Sequence, residues 1–373
     1  MSERSLRTVC TAAAVAAALV SAVPTAQAAP TPPESSVTGL LTQLQTLYRQ
    51  AEEASEAYNA AEEQLKLRKA DEKKVAAGLS RARVALARSR QEAGRLAREQ
   101  YQGRTELSTY MQLLLARDPQ GALDQGHLMR RASDGRRASL ARLARGEKQA
   151  DALARAARKA LDEQRLLAER RRRARDEVRA RLKDVEGLLA SLSEDQLLEL
   201  SRLERDGTAK AQRDLLATGA LDGVRAPSPE GESALRYAVG QVGKPYVWGA
   251  EGPSSYDCSG LTSSAWAHAG REIPRTSQEQ WASLRRVPLR ALRPGDLVVY
   301  YPGATHVALY VGDGLVVQAP RPGARVKISP IAANPLLGAV RPDPAASPVR
   351  SYRPVRLPVG AGPDEAAAPE PED

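Results

Sequence analysis

Two long stretches without proline fill most of the N-terminal part of the chain, and both repeat apolar residues every seven positions. The first, from Glu34 to Asp118, is rich in the strong helix formers Ala, Leu, Glu, Arg, Lys and Gln. Its two apolar rows, three positions apart, are Val37, Leu44, Ala51, Tyr58, Leu65, Leu79, Leu86 and Ala93, and then Leu40, Leu47, Ala54, Ala61, Val75, Ala82 and Leu96. Such sustained spacing predicts a coiled-coil seam.

The second stretch lies between Pro119 and Pro227 and repeats the pattern. Its rows are Leu140, Ala154, Leu161, Ala168, Leu182 and Leu189, and then Leu143, Ala150, Ala157, Val178, Val185 and Leu192. We interpret residues 35–222 as a coiled-coil region. An antiparallel helical hairpin is the simplest arrangement, and a parallel dimer of long helices is the alternative.

A change of composition marks a second domain after a Pro-rich linker at residues 223–232. From Ser233 to Pro342 Gly, Pro, Tyr, Trp and Val become frequent and the long charge runs stop. Helices are predicted at 232–242 and 258–269, antiparallel strands at 295–301, 306–311 and 315–319, and edge strands at 325–328 and 338–340. The pattern predicts an α+β domain, followed by a disordered Pro/Ala-rich tail at 343–373.

The N-terminus has the pattern of a secretory signal peptide. Arg4 and Arg7 precede an apolar run that is short for a membrane span, and Ala26-Gln-Ala28 offers small residues for cleavage. We predict cleavage after Ala28, a short linker at 29–34 and a protein secreted to the cell envelope or beyond. An uncleaved anchor is the alternative.

Export changes how the basic charge is interpreted. The chain has a net charge of +10; Arg4, Arg7 and Glu3 contribute +1 of it, so cleavage leaves +9. A basic intracellular protein would suggest nucleic acid, whereas an exported one favours anionic envelope polymers or lipid headgroups. We therefore expect no nucleic-acid partner. The arginine cluster at 169–175 fits either a solvated helix face or a binding surface.

Removal of the leader also removes Cys10 and leaves Cys258 as the only cysteine. A single thiol cannot form an internal disulfide, so Cys258 is either an inert buried residue or a nucleophile. Its predicted place in the first turn of a helix favours the thiolate, because free backbone N–H groups and the helix dipole stabilise negative charge there.

A thiolate nucleophile needs a proton partner, and the chain has three histidines. His268 lies about 15 Å along the same helix, His127 lies in the coil, and His306 opens a strand of the same domain. Gln318, on the next strand, would orient the imidazole if both side chains share a face. We predict that a three-residue loop, Gly312 to Gly314, with a bulge provides this register. No metal or other cofactor is expected.

Five motifs in this order resemble the NlpC-type cell-wall cysteine endopeptidases, which have a papain-like fold. The motifs, all within residues 233–342, are Gly243-Lys-Pro-Tyr-Val-Trp-Gly249, Asp257-Cys-Ser-Gly260, Pro274-Arg-Thr-Ser277, Arg293-Pro-Gly-Asp-Leu297 and His306-Val-Ala-Leu-Tyr-Val-Gly-Asp-Gly314. The resemblance implies cleavage of the stem peptide of peptidoglycan, usually between D-γ-glutamate and the diamino acid.

The resemblance also implies roles for single residues. Cys258 would be the nucleophile and His306 the base, with Gln318 at the orienting position, where the family most often has histidine. Residues implied to bind substrate or to line its cleft are Tyr246, Asp257, Ser259 and Ser277. For Tyr246 a plain core role is the alternative, and Ser277 could instead cap a helix beginning at Gln278.

The coil resembles, more loosely, the N-terminal hairpins of exported wall hydrolases in actinobacteria. That resemblance implies docking on a membrane-bound complex or blockage of the active site. Two other functions stay open: a non-enzymatic adaptor that activates another wall hydrolase, and an amidase or acyltransferase on the same fold.

Overall fold

The computed structural model describes residues 36–101, 111, 119–223 and 225–358. The predicted leader and the linker at 29–34 lie outside the described residues, as does the tail beyond residue 358. In the described part of the chain, no helix is both long and apolar enough to cross a membrane.

Two long helices, α1 (Val37–Tyr101) and α2 (Pro119–Ala190), lie side by side. Ion pairs join Arg90 to Glu147 at 3.2 Å and Arg68 to Glu163 at 3.9 Å, so positions earlier in α1 meet positions later in α2. The pair is therefore an antiparallel hairpin within one chain, as predicted.

The seam between α1 and α2 follows the predicted rows in α1 but only one of the two rows in α2. Leu44, Ala51 and Leu65 are buried in α1, and Ala150, Val178 and Val185 in α2. Leu140 and Leu161, from the other predicted row, are 58% and 40% exposed. The second contact row of α2 lies one position earlier than predicted: Gly146 packs against Leu86, and Leu153 packs against Gly78.

A third helix, α3 (Glu194–Ala217), leaves the hairpin and packs on the second domain. Ser193 begins it with a capping box, accepting from the N–H of Gln196 while the Gln196 side chain accepts from the Ser193 N–H. The Gln212 side chain donates to the carbonyl of Gly314 at 3.0 Å and accepts from the N–H of Ala332 at 3.1 Å. The last part of the predicted coiled-coil region, α3, therefore packs against the second domain and does not contribute to the seam between α1 and α2. We call α3 the strut.

The second domain is an antiparallel six-stranded sheet with helices on both faces, in agreement with the predicted α+β class. Its helices are α4 (Pro229–Val239), α5 (Cys258–His268) and α6 (Ser277–Ser283). Its strands are β1 (Arg285–Val287), β2 (Leu297–Tyr300), β3 (His306–Gly312), β4 (Leu315–Gln318), β5 (Lys327–Pro330) and β6 (Leu336–Arg341).

The strand order β1-β6-β2-β3-β4-β5 corrects one sequence expectation. The segment around 338–340 was predicted as an edge, yet β6 lies inside the sheet between β1 and β2, and β1 itself was not predicted. One sheet face packs on α4 and α5 through Leu235, Leu261 and Trp266. The other face packs on α3 through Leu215. Burial on both faces explains the continuous apolar runs in β2 to β4.

The connection between β3 and β4 differs from the predicted loop but gives the predicted register. Gly312 pairs with Leu315 across a two-residue turn, Asp313-Gly314, in which both φ values are positive. A bulge between Tyr310 and Gly312 absorbs the extra residue. The prediction of a three-residue loop was therefore wrong. The extra residue in the bulge still gives the strand register in which His306 and Gln318 lie on the same face of the sheet.

Ordered structure continues past the predicted end of the domain at Pro342. Asp343 is 2% exposed and forms an ion pair with Arg293 at 2.7 Å. The Val349 N–H donates to the carbonyl of Pro227, and Val355 and Leu357 pack against the core. Residues 343–357 thus belong to the domain and not to a disordered tail.

Candidate active site

The thiol of Cys258 lies at the first residue of α5. Asp257 precedes it as the N-cap, and its side chain accepts from the N–H of Gly260 at 2.6 Å. A side chain at Gly260 would place its Cβ 2.1 Å from the carbonyl oxygen of Ala250. The Asp-Cys-Ser-Gly sequence therefore makes this helix start possible, since only glycine lets α5 begin so close to the preceding loop.

His306 and Gln318 meet where β3 begins and β4 ends. Nε2 of His306 lies 2.7 Å from Oε1 of Gln318, so the ring donates from Nε2 and Nδ1 is left for other partners. The backbone N–H of Val307 hydrogen-bonds the Cys258 sulfur, which joins the start of β3 to the start of α5. The three residues predicted as a catalytic group are therefore brought together.

Arg275 braces the residues around Cys258, a role that sequence analysis did not assign. Its guanidinium donates to both carboxylate oxygens of Asp257, at 3.1 and 2.7 Å, and to the hydroxyl of Ser259 at 2.9 Å. Charge-assisted pairs of this geometry fix orientation strongly. The Asp257 carboxylate is thus occupied by the protein itself as the anchor of the helix start.

The other predicted cleft residues line the same surface. Thr276, not Ser277, is the N-cap of α6, so the Ser277 N–H faces outward from the first turn. Tyr246 is buried beside Cys258; burial raises its pKa well above the ordinary value, and the nearby thiol contributes in the same direction. Tyr246, Asp257, Ser259 and Ser277 are all buried, and we call these four residues the cleft wall.

Helix α1 covers this wall. The Glu56 carboxylate accepts from the Ser259 hydroxyl and from the Ser277 N–H, each at 2.8 Å, and lies 3.8 Å from the Cys258 sulfur. Asn59 donates to Asp257 at 3.0 Å. These contacts bury Glu56, Asn59 and the thiol almost completely.

Two further contacts join α1 to the second domain, one on each side of Glu56 along the helix. One turn before Glu56, the Glu52 carboxylate lies 3.6 Å from Nδ1 of His306, the ring nitrogen that does not face Gln318. On the other side, Tyr58 meets Trp248 edge to face, with ring centroids 4.7 Å apart. Helix α1 therefore touches the thiol, the imidazole and the cleft wall at once.

Burial under α1 makes the charged forms of these groups unfavourable. Burial, followed by Glu56 and Asp257, raises the pKa of the Cys258 thiol well above its ordinary value. Burial lowers the pKa of His306 to about 4, against the weaker opposing effect of the Gln318 hydrogen bond. The covered pair is thus a neutral thiol and a neutral imidazole, which is the unreactive form.

The covering residues were missed from the sequence. Glu52, Ser55, Glu56 and Asn59 follow the spacing of one helix face, next to the apolar row of the seam. A polar stripe of this kind ordinarily faces solvent, so spacing alone could not indicate that it is buried. Helix α1 has two buried faces, one against α2 and one against the second domain. The second buried face is recognised only when the three-dimensional position of that domain is known.

Residues 243–337 match the model of the NlpC/P60 family. This part of the chain is an NlpC/P60 domain, and it contains Cys258, His306 and Gln318.

Several curated relatives share this domain. A probable endopeptidase of Corynebacterium glutamicum (strain R) is 45% identical over 105 residues, which is 26% of this chain and 50% of that protein. A probable endopeptidase of Mycobacterium tuberculosis (strain ATCC 25618 / H37Rv) is 37% identical over 118 residues, 30% of this chain and 31% of that protein. The chain thus spans half or less of the length of these relatives.

Solved structures with similar domains have low overall superposition scores, because each covers about a third of this chain. The NlpC/p60 domain of the peptidoglycan hydrolase SagA is 31% identical with a TM-score of 0.28, covering 30% of this chain and 97% of that one. RipD from Mycobacterium tuberculosis, a non-catalytic NlpC/p60 protein adapted to peptidoglycan binding, is 31% identical with a TM-score of 0.28, covering 30% and 96%.

Proposed function

We propose that the protein is a secreted peptidoglycan hydrolase that cleaves stem-peptide amide bonds, in particular the bond between D-γ-glutamate and the diamino acid. The observation that carries the proposal is the cluster of Cys258, His306 and Gln318 inside an NlpC/P60 domain. The curated relatives, named probable endopeptidases, support the reaction class. The signal-peptide pattern of residues 1–28 supports export.

In the proposed reaction each of these groups has a separate role. With the cleft open, the Cys258 proton moves to Nδ1 of His306, and the thiolate attacks the amide carbonyl carbon. Backbone N–H groups at the start of α5 stabilise the oxyanion. His306 then gives the proton to the leaving amine as the C–N bond breaks. A water molecule, deprotonated by His306, hydrolyses the thioester and regenerates the thiol while releasing a carboxylic acid.

Gln318 keeps the imidazole in the tautomer that this reaction needs. Its Oε1 accepts from Nε2–H at 2.7 Å and leaves Nδ1 as the base. A neutral amide adds no negative charge to stabilise the imidazolium, so orientation is its contribution.

The same proposal makes the hairpin an autoinhibitory arm. Glu56 and Asn59 occupy the donors and acceptors of the cleft wall, and Glu52 stands at the base that must accept the thiol proton. A stem peptide cannot reach Cys258 while α1 lies there. Of the two roles inferred for the coil, docking on a membrane complex and blockage, these contacts support blockage.

The test compares a covered and an uncovered site in the full chain. Ser55→Arg places a long charged side chain at a position that is 4% exposed against the domain, while Ala57→Arg does the same at an exposed position of the same helical turn. Both are incubated with a muropeptide that carries the γ-glutamyl–diamino acid bond, and the products are identified by mass. Cleavage about 10- to 100-fold faster for Ser55→Arg than for wild type or Ala57→Arg is expected.

Further variants separate the proposal from its alternatives. Cys258→Ala added to Ser55→Arg should abolish cleavage. If Ser55→Arg exposes the thiol to a small alkylating reagent but cleaves nothing, the protein is a binding or adaptor protein. If it cleaves a different bond of the muropeptide, the amidase or acyltransferase alternative holds.

A further inference from the structure

The contact between α1 and the cleft buries more acidic groups than it neutralises. Glu52 and Glu56 enter from α1, 7% and 2% exposed, next to Asp257 and Cys258 at the start of α5. Asp257 is paired with Arg275. No comparable partner serves Glu52, whose Oε2 has no hydrogen bond within the described residues.

In the described part of the chain, the buried side chain of Glu52 has no hydrogen-bond donor that would stabilise its charged form, so burial favours its protonated form. Its Oε1 lies 3.6 Å from Nδ1 of His306, and that nitrogen also has no hydrogen bond within the described residues. If both groups were deprotonated, a carboxylate would face a nitrogen lone pair in a buried site. One proton on either atom replaces this repulsion with an electrostatic attraction.

The cation that acts on Glu52, Arg321, is already paired with other groups. Arg321, in the segment after β4, donates to Glu204 of α3 at 2.9 Å and lies over the ring of Tyr48, 4.4 Å from its centroid. The positive charge of Arg321 lowers the pKa of Glu52 by a long-range electrostatic interaction, but burial raises that pKa by more. The titratable and charged groups that face the two carboxylates are thus Glu53 from α1, Asp257 and Cys258 from α5, Arg275, His306, Tyr246, Tyr301 and Arg321.

We propose that α1 closes over the cleft only with bound protons on its two buried glutamates, so that rising pH releases the arm and activates the enzyme. This inference rests on the proposed autoinhibition and adds its trigger. The Glu52–His306 contact carries it, and Glu56 beside Asp257 adds to it.

The direction and the pH window follow from proton linkage. Burial raises the pKa of Glu56 from 4.5 to about 7 and that of Glu52 well above 4.5. Each carboxylate therefore favours closure below pH 4.5. The Glu56 contribution is lost as pH rises through about 7, and that of Glu52 is lost as pH rises through its own raised pKa. His306 has the opposite effect below its ordinary pKa of 6.5, because closure expels its proton. When α1 closes between pH 5 and 7, the two glutamates take up two protons and His306 releases at most one. The net uptake is about one proton, so the open fraction should rise about tenfold per pH unit.

The experiment measures how fast iodoacetamide alkylates Cys258 in the full chain, followed by mass on the peptide that contains it, from pH 5 to 8. Dividing each rate by that of Ser55→Arg at the same pH removes the intrinsic pH dependence of the thiol. If Ser55→Arg does not fold, Asn59→Arg serves the same purpose. For wild type we expect the ratio to rise about tenfold per pH unit.

Matched variants identify the groups responsible. Glu52→Gln with Glu56→Gln keeps the size of both side chains and one acceptor oxygen of each but cannot titrate, so its ratio should be flat with pH. Glu99→Gln, at an exposed position near the other end of α1, should behave as wild type. A flat wild-type ratio, or an unchanged slope in the double variant, would overturn the proposal. Because the readout is alkylation, a failure of muropeptide cleavage leaves this result interpretable on its own.

Discussion

The carboxylate of Glu56 accepts a hydrogen bond from the hydroxyl of Ser259, 2.8 Å away, although 203 positions separate the two residues in the chain. Ser259 directly follows Cys258, the proposed nucleophile, so this bond ties α1 to the first turn of α5. The Ser277 N–H donates to the other oxygen of the same carboxylate. The arm therefore binds two residues, Ser259 and Ser277, that the sequence predicts to bind substrate.

Removal of one of these bonds should weaken the cover. Asn59→Ala removes the donor to Asp257 without touching the domain. A hydrogen bond to a charged group contributes about 1.5–3 kcal/mol, so we expect muropeptide cleavage to rise about tenfold or more. Gln64→Ala, at an exposed position of the same helix, is the control. Equal rates for the two variants would show that the Asn59 contact does not hold α1 closed.

Gln318 is expected to act as a positioning residue. In the Ser55→Arg background, Gln318→Ala frees the imidazole to rotate and should lower kcat about 100-fold with little change in KM. Gln318→Glu retains an acceptor at the same distance, so it should recover much of the rate and shift the acid limb of the pH profile. A rise in KM at constant kcat would instead place Gln318 in substrate binding.

Arg321 is expected to hold α1 and α3 together at the edge of the site. Its cation–π contact with Tyr48 and its half-exposed ion pair with Glu204 contribute together about 1 kcal/mol, so Arg321→Ala should increase Cys258 alkylation about fivefold. Arg325→Ala, which loses only an exposed bond to the Gly243 carbonyl, should have no effect. Equal responses would mean that the Arg321 contacts are not coupled to the position of α1.

The imidazole of His306 should titrate unusually low in the covered state. With its pKa lowered to about 4 by burial, the ring stays neutral at pH 5, and closure loses stability as pH falls from 6.5 through about 4. Together with the glutamates, this predicts that closure is tightest at about pH 4, where the protons gained by the glutamates equal the proton lost by His306. Histidine NMR of the full chain, assigned with His306→Gln, should show the low value, and Ser55→Arg should move it upward. A normal titration in both would contradict burial of the ring under α1.

Gly260 should tolerate no side chain. Its Cβ would lie 2.1 Å from the Ala250 carbonyl, a backbone atom that cannot move without displacing the loop before Cys258. Gly260→Ala should therefore cost about 3 kcal/mol of unfolding free energy. Gly187→Ala on α2 meets no atom within 4 Å and should instead stabilise by about 0.5–1 kcal/mol. Denaturant unfolding of both variants measures the difference.

The sequence predicted the parts of the fold that repeat or carry a motif. Heptad spacing predicted the hairpin, and the scarcity of histidine pointed to His306 before any geometry was known. The partnership with Gln318 was also predicted, although through the wrong turn. Asp313 and Gly314 both take positive φ, and the bulge before them depends on how β3 sits against its neighbours.

What the sequence could not predict depends on contacts between distant segments. The strut α3 has the composition of the hairpin, yet it packs on the sheet through Leu215 and Gln212. The place of β6 inside the sheet is set by pairing with β1, a three-residue strand too short for a periodic signal. Glu52 and Glu56 have ordinary helix-face spacing, so only the three-dimensional placement of α1 shows that they are buried.

The antiparallel hairpin gives the cover a mechanical property. From Glu56 to Tyr101, α1 continues for 45 residues, about 68 Å at 1.5 Å per residue, with α2 alongside to stiffen it. The contacts that close the cleft lie near one end, and α3 braces that end against the sheet. The hairpin is therefore a lever whose fulcrum lies beside the catalytic cleft. A weak sideways load on its far end would act on the Glu56 contacts through a long arm, so mechanical force and pH would act on the same contacts.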